Sequence, residues 1–205
     1  MVKSFECPVC GEEVEVREEY IITPLSTKRV KFLVHNPTVI HIVRVRYHGK
    51  WEDPALFLGS GKHGFHEVIP RTRDEITFFL LRNQLMLEGG PMADGASLSP
   101  VLRAKILWKN GHAVGYYSEY THLPVPTMAE IYVRPEYRNR GYATEMVKDF
   151  LDSHPGPVAF YHIHKKCMRN LLLKVGLVRK TYIPTERLAL LSWQANPIPF
   201  WEKED

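Results

Sequence analysis

The chain has 205 residues, 44% of them hydrophobic and 24% charged, which suits one globular domain or one and a half and is long enough to bury a sizeable core. A formal net charge of +4 fits an anionic ligand but falls short of the concentrated basic face that nucleic-acid binding requires. No run approaches the roughly 18 apolar residues of a membrane helix, and three cysteines do not make an extracellular disulfide framework.

At the start, Met1-Val-Lys-Ser-Phe-Glu-Cys carries an acid at once and has no signal-peptide core. The expected compartment is therefore reducing, cytosolic or nuclear. Residues 1–19 form a cysteine-bearing head with an acidic stretch from Glu12 to Glu19. Within it, Cys7-Pro-Val-Cys10-Gly resembles one knuckle of a zinc ribbon, a spacing at which two thiolates converge on one metal. A closed site needs two further ligands. The nearby pair with compact spacing is His63-Gly-Phe-His66, and Cys167 lies far off in sequence. Zn2+ at Cys7 and Cys10, or a free thiol pair, both stay open. A redox role is disfavoured because no thioredoxin-like βαβ pattern surrounds the pair.

Residues 20–100 read as an N-terminal part with strands and one helix. Arg29 to His35 and Val39 to Tyr47 are β-like runs rich in Val and Ile, broken by Asn36-Pro37. Thr72-x-x-Glu75 reads as a capping box opening a helix that carries Ile76, Phe79, Leu80 and Leu87 on one face. Gly89-Gly90-Pro91 ends it, and a small, polar segment follows to Pro100.

Residues 101–205 form the core. Ala104 to Lys109 and Ala113 to Ser118 flank Asn110-Gly111, a strong hairpin signal. Met128 to Val133 is the next strand. After Gly141, the positions Ala143, Met146, Val147, Phe150 and Leu151 repeat at helical spacing, and Pro155-Gly-Pro157 stops the helix. Val158 to His164 reads as a strand. Met168, Leu171, Leu172 and Val175 form a second helical stripe ended by Gly176. Leu177 to Ile183 and Arg187 to Trp193 close the order as two strands. This is an α+β sheet with helices, with too few βα units for a doubly wound nucleotide fold.

The chemistry concentrates at Val133-x-Pro135-x-Tyr137-Arg138-x-x-Gly141-x-Ala143. A strand, a turn and a helix that opens on small residues can hold a pyrophosphate, because the helix N-terminus offers N–H groups and the positive end of its dipole. The Gly-Lys-Ser/Thr of a P-loop is absent. With the hairpin upstream and the strand–helix–strand downstream, the segment from about Ala104 to Trp193 resembles the GCN5-related N-acetyltransferase (GNAT) superfamily. Lys174-x-Gly176-Leu177 is similar to a later Lys-x-Gly-Phe of that family. A weaker likeness, through Ala104-Lys-Ile-Leu-Trp-Lys-Asn-Gly and Gly115-Tyr-Tyr-Ser, is to the soluble lamina-associated proteins.

The GNAT resemblance implies a mixed central sheet flanked by helices, here with an elaborated N-terminus, that binds acetyl-CoA. It implies phosphate contacts from the N–H groups of Asn139, Arg140, Gly141, Tyr142, Ala143 and Thr144, with charge added by Arg138 and Arg140. It also implies a strand N–H near Val133, beside Tyr132, aimed at the acetyl carbonyl. Glu130 is the implied base for the amine proton; its alternative is a strand-end carboxylate facing solvent. Where the family often has a Tyr donating a proton to the thiolate, this chain has Leu172, and Lys165 replaces a frequent Asn. His164, with His162, Tyr161, Tyr182 or water, stands in for the missing acid. Tyr116, Tyr117 and Tyr120 are candidates for lining an acceptor groove.

Three functions stay open on these residues. One is an N-acetyltransferase acting on a primary amine of a small molecule or a protein. The second is a catalytically weak acyl-CoA-binding or scaffold protein. In the third, the head is a zinc-dependent interaction module that engages a protein partner.

Overall fold

The computed structural model describes residues 4–22, 29–35, 40–89, 102–120, 123–161, 166–182 and 199–203. Contacts divide the chain into two compact units, Met1–Gly115 and Tyr116–Asp205.

The first unit begins with β1 (Ser4–Glu6) and β2 (Glu13–Glu15), a short antiparallel pair. The turn between them closes through Cys7 N–H on Glu12 O and Gly11 N–H on Cys7 O, both at 2.8 Å. Next come β3 (Arg17–Ile22), β4 (Arg29–His35), β5 (His41–Tyr47) and β6 (Lys50–Glu52), an antiparallel meander in that order. The two β-like runs around Asn36-Pro37 are therefore neighbouring strands. A register shift at Leu33/Val34 lets the meander keep Phe32, Val34, Ile42 and Val45 in one core with Phe57, Ile76 and Leu80.

Phe57 comes from a 3-10 turn (Pro54–Leu58) that Asp53 opens by accepting the Ala55 N–H at 2.8 Å. Ile76 and Leu80 come from α1 (Arg73–Leu87). The expected capping box does not form. Thr72 is the N-cap, yet its hydroxyl donates to Ile69 O at 2.7 Å, and Glu75 accepts from Arg71 N–H at 2.5 Å. Burial of α1 is also wider than one stripe and takes in Asp74, Glu75, Thr77 and Asn83. Their polar atoms are matched: Asp74 by Lys62, Thr77 by Phe57 O and Asn83 by Ile40 O.

The unit ends with β7 (Gly64–Glu67), antiparallel to β8 (Leu102–Lys109), and with the start of β9 (His112–Tyr120). The β8–β9 turn is the Asn-Gly hairpin expected, with Asn110 at φ +50° and Gly111 at φ +79°.

The second unit runs from Tyr116 in β9 through β10 (Thr127–Val133), a 3-10 turn (Pro135–Tyr137), α2 (Tyr142–Ser153), β11 (Val158–Phe160), α3 (Lys166–Lys174), β12 (Leu177–Tyr182) and β13 (Pro199–Lys203). Within this unit the strand order is β9-β10-β11-β13-β12, with β10 and β11 parallel and β13 antiparallel to both its neighbours. Met146, Val147, Phe150 and Leu151 of α2 are buried, as their spacing requires.

Two expected strands of this unit reach beyond the described residues, and one strand is new. The expected strand over Val158 to His164 is described only from Val158 to Phe160. Arg187 to Trp193 lies outside the described residues. The strand seated between β11 and β12 is Pro199–Lys203, which no alternation or turn signal marks in the sequence.

Candidate active site

The candidate site forms where β10 hands over to α2. Parallel pairing of β10 with β11 covers Thr127↔Ala159 and Met128↔Phe160, and Tyr161 N–H adds a bond to Met128 O at 2.8 Å. Among the described residues, β10 then runs on from Ala129 to Val133 without β11 beside it. This stretch carries Glu130, Tyr132 and Val133.

Alternation along β10 puts Met128, Glu130 and Tyr132 on one face. Glu130 is 8% exposed, and its Oε2 accepts from the Tyr116 hydroxyl at 3.0 Å. It is therefore a held, buried carboxylate, and the alternative of a strand-end acid facing solvent does not describe it. Tyr132 is buried, its ring 6.1 Å from that of Tyr116. The neighbouring Tyr117 points to the opposite face, where its hydroxyl donates to Asp149 of α2 at 2.5 Å. Burial, and then this contact with Asp149, push its phenol well above the ordinary tyrosine range. Tyr116 and Tyr117 thus line no common groove. Tyr120 packs edge-on against Tyr161 with centroids 5.7 Å apart.

The link into α2 is built by local geometry. Pro135 opens the 3-10 turn, closed by Tyr137 N–H on Arg134 O at 2.9 Å. Asn139 (φ +62°) and Gly141 (φ +83°) then take left-handed conformations, and Gly141 is the N-cap of α2. No side chain caps this end, and nothing lies within 4 Å of where a Gly141 Cβ would stand. The first intrahelical bond is Glu145 N–H to Gly141 O at 3.0 Å, so the N–H groups of Tyr142, Ala143 and Thr144 precede it. An open cradle of donors at the positive end of a helix fits a diphosphate.

Arg138 Nε donates to Val133 O at 2.9 Å, and its guanidinium lies 5.7 Å from the Tyr132 ring centroid. Arg134 and Arg140 flank the Tyr137 ring at 5.4 and 5.8 Å. Arg138 and Arg140 are exposed.

His162, His164 and Lys165 lie outside the described residues. Leu172 is fully buried in the core, which leaves no polar atom at that position.

In the head, Cys7 and Cys10 meet His35 and His41, not His63 and His66. The four potential ligand atoms lie within 4.8 Å of one another. His66 instead sets its Nε2 3.0 Å from His63 O. Burial, with the neighbouring His35, lowers the pKa of His41 from its usual value. The signal for this pair was present in the sequence: His35 and His41 bracket Asn36-Pro37, and a hairpin across that break sets them opposite each other.

Residues 77–164 match the sequence model of the acetyltransferase (GNAT) family. No curated protein matches the chain, so the likeness to lamina-associated proteins rests on the quoted residues alone. Among solved structures, GCN5 from Tetrahymena is similar at a TM-score of 0.52 and 14% identity, over 67% of this chain and 93% of that one. An acetyltransferase from Bacillus subtilis in complex with CoA gives 0.47 at 12% identity, over 70% and 100% of the two chains. Ribosomal-protein-alanine N-acetyltransferase from Brucella melitensis gives 0.44 at 18%, over 58% and 97%. Among the described residues no helix is long and apolar enough to cross a membrane. The chain carries the GNAT acyltransferase fold, a mixed sheet flanked by helices, with the family's sequence pattern running from residue 77 to residue 164.

Proposed function

We propose that this protein transfers the acetyl group of acetyl-CoA to a primary amine of a small molecule or a protein. The observation that carries the reading is the held carboxylate of Glu130 on β10, on the strand that leads into the uncapped, glycine-opened start of α2. Acetyl-CoA supplies an activated thioester carbonyl. The N–H groups from Asn139 to Thr144, with Arg138 and Arg140, hold its diphosphate. The backbone near Val133, beside Tyr132, orients the acetyl group. Glu130, steadied by Tyr116, takes the amine proton directly or through one water as the C–N bond forms and the C–S bond breaks. His164, or in its stead Tyr161 or solvent, returns a proton to the departing thiolate. Cys7 and Cys10, which form no disulfide, suit a reducing compartment, cytosol or nucleus.

A second reading, an acyl-CoA-binding or scaffold protein with weak turnover, draws on Leu172. An apolar side chain sealed in the core there removes one acid that similar enzymes use. Free-thiol release from acetyl-CoA against a panel of amines and peptides separates the two. Acetyl transfer predicts amine-dependent release that falls about 10²- to 10⁴-fold in Glu130→Gln while acetyl-CoA still binds. Binding with no release for any acceptor favours the second reading.

A further inference from the structure

The head offers a site that acetyl transfer does not use. Cys7 and Cys10 stand on the turn between β1 and β2, where the Cys7 carbonyl takes the Gly11 N–H and Gly11 sits at φ +72°. His35 ends β4 and His41 begins β5, and the two are register partners in the antiparallel pair. Their rings lie edge to face, with centroids 4.7 Å apart. Cys7 Sγ is 3.5 Å from His41 Nδ1, and Cys10 Sγ is 4.0 Å from His35 Nε2.

We propose that Cys7, Cys10, His35 and His41 form a closed, tetrahedral Zn2+ site that fastens the head to the four-stranded meander. Zn–S bonds of about 2.3 Å and Zn–N bonds of about 2.0–2.1 Å give a tetrahedron with edges of about 3.3–3.8 Å. The two sulfur–nitrogen contacts and the 4.8 Å limit on the whole set are within a small side-chain adjustment of those edges. The donor chemistry agrees as well: two thiolates and two imidazoles are a common structural zinc set, whereas Mg2+ and Ca2+ take oxygen. No carboxylate belongs to the group.

With four protein ligands the ion has no open position, so its role is structural and not hydrolytic. The need for it is physical. Two strands of three residues each bury too little to hold themselves, whereas Cys7 is fully buried against the meander side of the site. Metal binding then becomes folding energy for the head. This inference is independent of the acetyl-transfer reading, because it names a different set of residues and a different readout.

The test uses the full chain, purified under reducing conditions. Metal analysis after dialysis is expected to give one equivalent of zinc per chain. Exchange for Co2+ is expected to give the visible bands of a tetrahedral ion together with thiolate-to-cobalt charge-transfer absorption. Cys10→Ser and His35→Ala should each lose the equivalent, whereas His63→Ala should keep it. Chelation should lower the melting temperature of the parent protein and leave that of Cys10→Ser unchanged. Failure of the folded parent protein to bind zinc or cobalt would overturn the proposal. So would a Cys7–Cys10 disulfide that persists in reductant, or a cobalt spectrum without the thiolate band. Because these readouts belong to the parent protein, they hold even if a variant fails to fold.

Discussion

At Gly141 the backbone turns through φ +83°, a region that costs an ordinary L-residue about 1–2 kcal/mol, with open space where a side chain would stand. Gly141→Ala should therefore lower stability by about that amount in chemical denaturation and leave a folded protein. Gly141→Glu carries the same strain and adds a carboxylate to the phosphate cradle, so the difference between the two isolates electrostatics from backbone. Tyr116 is the other informative residue. Its hydroxyl is the donor that holds Glu130, and hydrogen bonds to charged groups are worth about 1.5–3 kcal/mol. Tyr116→Phe is expected to lower kcat about 10-fold or more and leave acetyl-CoA affinity alone. An unchanged kcat would remove Tyr116 from the proposed positioning of Glu130. The strand position of Glu130 was legible in the sequence; its hydrogen-bond partner was not, because Tyr116 is 14 residues away on β9. Similarly, the Cys7–Cys10 spacing was visible, but its partners lie 34 and 25 residues distant, beyond what local spacing reveals.

Elements with a strong period or a specific turn were the readable ones. The apolar repeat after Gly141 became α2, and Asn110-Gly111 became the β8–β9 turn. That turn also touches its surroundings. Ser60 N–H donates to Gly111 O at 2.6 Å, Gly111 N–H donates to Lys62 O at 3.1 Å, and a Cβ at Gly111 would collide with the Ser60 carbonyl. Gly111→Ala should cost at least about 2 kcal/mol, from the left-handed backbone and the clash together. Asn110→Ala, at φ +50° and exposed, should cost less. Equal effects of the two changes would contradict this geometry. The elements that escaped the sequence were short or punctuated. β6 has three residues, β7 has four and begins on a glycine, and β13 opens on Pro199, which reads as a break. A proline is tolerated at the first residue of a strand, and Pro199 occupies that position. The capping box failed for a different reason: Glu75 is drawn to Arg71 N–H and Thr72 turns its hydroxyl back to Ile69, satisfying other backbone groups.

For the whole molecule, stability depends on polar groups buried with their partners. Tyr117 is the clearest case, since burial and Asp149 raise its pKa. A raised acid pKa means that the folded state holds the proton more tightly than the unfolded chain does. The stabilisation is therefore complete below the unfolded value of about 10 and is lost as pH rises above it. Denaturation midpoints should fall above pH of about 10 in the parent protein, and Tyr117→Phe should flatten that part of the profile. A profile identical in both proteins would contradict the assignment. The α+β class, the β8–β9 hairpin, β10, α2 and α3 were legible because each of these elements agrees with its own local pattern. The central claim concerns the cradle at the start of α2. Calorimetric titration of the parent protein and of Gly141→Glu with acetyl-CoA tests it most directly. Micromolar binding by the parent protein, abolished in a folded Gly141→Glu, is the predicted result. No heat of binding in the folded parent, or equal affinity in both proteins, would contradict it.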